Sequence, residues 1–149
     1  MRNRLMTATK ASISEVMETM FFIPVECVEN PSLEQIRTLK GMRSLGTSLT
    51  FTGDAPGSIQ LLIPKQLLTE MTENFMGEPR ETLGENISEG TLKETVNMIS
   101  GNALRKIKTR VPFGLSIPEL IRASDFPETG DILLVETIGS KMAVHITTG

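Results

Sequence analysis

Apolar residues recur along this chain at two periods, and the two periods divide it into helices and strands. Ile13, Val16, Met17 and Met20 fall at helical spacing and predict a first helix over about Thr7 to Phe22, which Pro24 stops. Val25 to Glu29 reads as a short strand. From Pro31 to Met42 the pattern is mixed, and strand and loop both fit it. Leu45, Thr47, Leu49 and Phe51 then alternate at period two, so Ser44 to Gly53 is a strand. GDAPG supplies turn chemistry, and Ser58 to Ile63 is the return strand of a hairpin. Pro64 opens a second helix, which runs to about Met76 and ends at Gly77.

The second half starts with a polar stretch, Glu78 to Glu85. Ser88 is the expected N-cap of a long helix with Thr91 to Lys108 as its body, ended by VPFG. Strands follow at about Leu115 to Ile117, Ile121 to Phe126 and Asp131 to Thr137. Lys141 to Thr147 closes the chain as a hairpin partner across Gly139-Ser140. Each half runs helix first and antiparallel strands after, which argues for an α+β fold. Thr52-Gly53-Asp54 and Thr129-Gly130-Asp131 recur at similar distances behind the two main helices, a match short enough that chance competes with duplication.

In the long helix the polar residues are not scattered. Leu92, Val96, Ile99, Ala103 and Ile107 share one stripe at about 100° per residue and form the core face. Glu94, Asn97, Gly101, Arg105 and Lys108 line the opposite face. Glu94 alone would be an ordinary exposed residue. Asn is a weak helix former, and Gly costs about 1 kcal/mol against Ala in a helix interior. A carboxylate, an amide and a bare patch in one row suggest a docking surface. A carboxylate can pair with a partner's Lys or Arg, and an amide can hold a water through both its donor and its acceptor. An amide is no strong base, so water held this way suits an electrophile that is already activated. Phosphoryl transfer is such a case, being largely positioning and charge stabilisation.

Composition narrows the alternatives. The chain has 149 residues, 39% hydrophobic and 22% charged, which suits one domain over 1–149 with a real core. A net charge of −3 gives no bulk attraction to nucleic acid or an acidic membrane. RKIKTR (Arg105 to Arg110) is a short basic cluster without aromatic stacking residues, and reads as a solvated helix end rather than a nucleic-acid patch. No apolar run approaches the about 20 residues that span a bilayer, and the N-terminus lacks the features of a signal peptide. One cysteine, Cys27, excludes an internal disulfide and fits a reducing cytoplasm. His145 and Cys27 read as structural residues, and Asp125, Glu128 and Asp131 as turn residues rather than a calcium loop. No Cys/His cluster offers a zinc site, and GxSxG, GxxxxGKS and GxGxxG are absent.

ETVNMISGN (Glu94 to Asn102) carries E-x-x-N followed by G-N. With ISEVMETMFF (Ile13 to Phe22) and the order of strands, hairpin and helices, it resembles the CheC/CheX/FliY chemotaxis phosphatases, most closely a CheX-like single domain. The resemblance implies a pseudo-symmetric CheC-like fold, a mainly antiparallel sheet with long helices packed on it. It also implies hydrolysis of the aspartyl phosphate of a CheY-like response regulator in the cytoplasm. Glu94 would pair with a lysine of the regulator and Asn97 would orient the attacking water. Gly101 and Asn102 would support close docking. The chain would need no cofactor of its own, since the magnesium belongs to the partner's site. The alternative on the same fold is a receiver-domain binding module that does not hydrolyse. Some relatives carry E-x-x-N on both helices. Here Glu18 occupies the Asn position of the first helix, so one site is expected. Gly90 stands where relatives often have Asp or Ser, and Pro118 is offset from a common proline. The relatives also suggest a homodimer, with the last strand exposed to pair across it.

Overall fold

The computed structural model describes residues 1–148. The main elements are α1 (Arg2–Met20), β1 (Glu26–Glu29), α2 (Leu33–Gly41), β2 (Ser44–Thr52), β3 (Gly57–Pro64), α3 (Lys65–Met76), α4 (Glu85–Arg105), β4 (Gly114–Leu115), β5 (Glu119–Ile121), β6 (Asp131–Glu136) and β7 (Lys141–Thr148). Short 3-10 turns cover Arg80–Thr82 and Ala123–Asp125. The strands form one antiparallel sheet in the order β1-β6-β7-β3-β2-β4, with β5 also paired to β2. This is the expected α+β class.

Register sorts the side chains. Leu133 stands opposite Val144, and Val144 opposite Leu61, and all three are buried in the core that α1, α3 and α4 cover. One residue along, Leu134, Ala143 and Leu62 form the next row and pack with Ile36 and Leu39 of α2 and with Phe126 on the other face. Central strands covered on both sides need apolar residues on both, which explains Leu61-Leu62-Ile63 and Ile132-Leu133-Leu134-Val135. At Gly46 a Cβ would lie 2.7 Å from Ile121 Cγ1, so a glycine is needed where β5 crosses β2.

Several boundaries differ from the sequence reading. Pro31 to Met42 holds a helix, because Ser32 and Gln35 close a reciprocal capping box at its start: Gln35 N donates to Ser32 Oγ, and Ser32 N donates to Gln35 Oε1. α1 begins at Arg2, with its guanidinium ion-paired to Asp131 on β6. α4 is capped at Gly84 rather than Ser88 and ends at Arg105, so Lys108 lies beyond it. The expected strand Ile121 to Phe126 is mostly a 3-10 turn that tucks Phe126 into the α2-side core.

Apart from α2 and α3, which have no helical counterpart in the second half, the two halves repeat one element order. Exchanging α1 with α4, β1 with the β4/β5 edge, β2 with β6 and β3 with β7 leaves the sheet order unchanged when it is read backwards. The TGD repeat does not mark this equivalence, since Thr52-Gly53-Asp54 follows β2 whereas Thr129-Gly130-Asp131 opens β6. β7 is paired on both sides, by β6 and by β3, so it is not an exposed strand available to a second copy. The edges are β1 on one side and β4/β5 on the other.

Candidate functional site

α1 and α4 pack side by side on one face of the sheet. Glu15 sits level with Asn102 and Lys106, while Ala8 and Ala11 share a recess with Ile107 and Lys108. The helices therefore run antiparallel, and the C-terminal end of α1 lies beside the N-terminal half of α4.

The two faces of α4 are as expected. Leu92, Val96, Ile99 and Ala103 have no solvent exposure, and Ile107 just beyond the helix is also buried. Glu94 is exposed and Asn97 is partly exposed. One turn apart on a helix, three residues rise about 4.5 Å, so the two side chains are neighbours on one row. The side chains of α4 and its cap that bond within the protein are Thr91, Thr95, Asn102 and Lys106. Glu94 and Asn97 make no such bond among the described residues.

Gly101 lies on the same row, and a Cβ there would meet Arg105 Nη1 and Leu115 Cδ1 at 3.8 Å, ordinary contact distance. The fold itself would accept alanine. Gly90 also lies on this row, eleven residues earlier, with nothing within 4 Å of its would-be Cβ. Two helix-weakening glycines that the fold does not require thus bracket Glu94 and Asn97. Gly90 and Gly101 stand three full turns apart, a spacing that is readable in the sequence.

Asn102 is engaged within the chain. Its Nδ2 donates to Glu15 Oε2 at 2.6 Å, and Lys106 Nζ donates to Glu15 Oε1 at 3.0 Å. The Asn102 amide first, and the Lys106 ammonium second, hold the Glu15 carboxyl below its usual range. So Glu15 joins the two helices, while Glu18, one turn on, is exposed and makes no ion pair among the described residues.

The other singled-out residues have local duties. A carbonyl can only accept, so His145 Nε2 carries the proton that is donated to Thr129 O at 3.1 Å. The ring stands edge-on to Phe126, and burial pushes its pKa down against the opposing pull of the Thr129 carbonyl and Asp131. Burial raises the Cys27 thiol. Asp125 pairs with Arg122, Glu128 with Arg37 and Lys40, and Asp131 with Arg2, so each of these carboxylates is answered by a base.

Residues 45–132, more than half of the chain, match the family model described as "Chemotaxis phosphatase CheX". The chain belongs to the CheX family. The matched span runs from β2 into β6 and contains all of α4. No curated protein matches the chain. Solved structures similar to it include the chemotaxis protein CheX from Vibrio vulnificus, at 17% identity and TM-score 0.77 over 97% of this chain and 99% of that one. Another is the CheX–CheY–BeF3–Mg complex from Borrelia burgdorferi, at 15% identity and TM-score 0.69 over 95% and 96%. FliY from Thermotoga maritima matches at 15% identity and TM-score 0.64 over 95% and 84%. These likenesses establish a CheX-like fold.

Proposed function

We propose that this chain hydrolyses the aspartyl phosphate of a CheY-like response regulator, with one site, on α4. The observation that carries the reading is the pair Glu94 and Asn97, one turn apart on an outward row of a well-packed helix and bonded to nothing within the described chain. The Asn97 carbonyl accepts an O–H of a water and directs the water's oxygen at phosphorus, in line with the acyl oxygen. The P–O bond to the regulator's aspartate breaks and returns a carboxylate and inorganic phosphate. The water's surplus proton passes to phosphate or solvent, because an amide cannot keep it. The acyl phosphate and its magnesium belong to the partner. Glu94 docks a partner lysine and so fixes the distance of approach. The bare surfaces at Gly90 and Gly101 let the partner's backbone come close. The complex of CheX with CheY in Borrelia burgdorferi supports a partner of this kind.

The second reading, binding without hydrolysis, is favoured by Glu18, an acid at the α1 position where the resemblance puts an amide. Three variants separate the readings. Asn97→Ala should keep binding to the phosphorylated regulator and lose roughly 10²-fold in dephosphorylation rate, the scale of one positioned transition-state contact. Glu94→Ala should weaken docking, by roughly 2–5 kcal/mol if the partner's lysine is left desolvated. Glu18→Ala should change neither. Stoichiometric binding by the unaltered chain with no acceleration of phosphate release would establish the second reading instead.

A further inference from the structure

Eight of the fifteen lysines and arginines pair with a carboxylate. Lys10 pairs with Glu29, Arg80 with Glu73, Lys141 with Glu136 and Lys106 with Glu15, besides those already described. Arg105 and Lys108 are two of the seven bases that meet no carboxylate among the described residues, and both are exposed. They line one recess, which opens beside Gly101 and has Leu104, Phe113 and Leu115 in its walls and no acidic residue. Its mouth continues the Glu94–Asn97–Gly101 row. From Glu94 to Arg105 the helix rises about 16 Å, so the row is bipolar, negative near its start and positive at its end.

Resting on the phosphatase reading above, we propose that Arg105 and Lys108 form a second contact for the receiver and seat a carboxylate-bearing segment of its surface in this recess. A partner that brings a lysine to Glu94 and carboxylates to Arg105 can lie along α4 in one direction only. Turned end for end it sets lysine against arginine and carboxylate against carboxylate. The cations at the end of α4 thus give the docking its direction, and Asn97 meets the phosphoryl group rather than some other part of the receiver. Exposed charges act at long range and are screened by salt, so the contact should be read in association and in ionic-strength dependence rather than in the chemical step.

The test uses the whole chain and a CheY receiver loaded with beryllofluoride and magnesium as the probe, titrated at low and at high salt. Arg105→Gln/Lys108→Gln should weaken binding roughly tenfold at low salt and flatten the salt dependence. At saturating protein, its single-turnover dephosphorylation of acyl-phosphorylated CheY should match that of the unaltered chain. Arg37→Gln/Lys141→Gln removes the same charge from the α2 side, where those residues make only exposed ion pairs. That control should bind as the unaltered chain does. Equal affinity and equal salt slope in the Arg105/Lys108 variant would overturn the second contact and leave the phosphatase reading intact. Equal weakening in the control would also overturn it, as an effect of net charge. Absence of receiver binding by the unaltered chain would remove the phosphatase reading and this inference with it.

Discussion

Gly101 is a glycine inside a helix that the packing around it does not require. Its missing side chain leaves a helix interior about 1 kcal/mol weaker than alanine would, and the neighbours at 3.8 Å would tolerate the methyl group. Gly101→Ala should therefore raise the denaturation midpoint, by up to about 1 kcal/mol in stability. It should also slow dephosphorylation at sub-saturating regulator, because the partner loses its close approach. A variant that gains stability with no loss of turnover would show that the bare patch has no docking role. The residues legible from sequence were those whose chemistry clashes with their element. Asn97 and Gly101 stood out in a helical run because helices disfavour them. Glu15 did not stand out, since an acid on a helix surface is ordinary. Its bond to Asn102 joins residues from opposite halves of the chain, and no local pattern encodes it.

Among the elements, those with strong periodicity were read correctly and those defined by caps were not. β2, β3, α3 and β7 lie within a residue or two of their expected bounds, because alternation, a Pro at the start and a left-handed Gly77 at the end are local signals. α2 was missed because its nine residues bury only Ile36 and Leu39, too few for a period to show. The readable signal was Ser32 with Gln35 three residues on. Removing the cap with Ser32→Ala should cost about 1 kcal/mol, seen as a lower urea midpoint with unchanged slope. It should leave dephosphorylation untouched, because α2 covers the sheet face opposite α4. The expected long strand at Ile121 to Phe126 failed for a different reason. An apolar run can also be a turn when one large residue, here Phe126, is drawn into a core that the other elements have already built.

Across the whole molecule, the sensitivity to pH divides into two windows. The folded chain holds His145 with a depressed pKa, so it prefers the neutral ring. The unfolded chain takes up a proton as pH falls through about 6.5, and stability should decline from there downward. Asp131 and Glu128 are held below their usual range, Asp131 chiefly by Arg2 and Glu128 chiefly by Lys40. Their contribution is present above the unfolded carboxylate pKa and is lost only as pH falls below about 4. Urea midpoints should thus show two separate declines, and His145→Gln should flatten the upper one. A further consequence lies in the exchange of edge strands between the halves. β1, made early, pairs only with β6, and the β4/β5 edge, made late, pairs with β2. The seam that joins the two hairpins is β3 with β7. Neither half can complete its own sheet, so the order of synthesis is not an order of folding. β1 must wait through α4 for its partner, and the loop so closed, from Glu29 to Leu133 at its shortest, takes up most of the chain. Such distant pairing makes a slow folder, with open strand edges until β7 arrives. A chain cut before Lys141 should therefore have no cooperative unfolding transition, and should aggregate rather than settle into a smaller stable core.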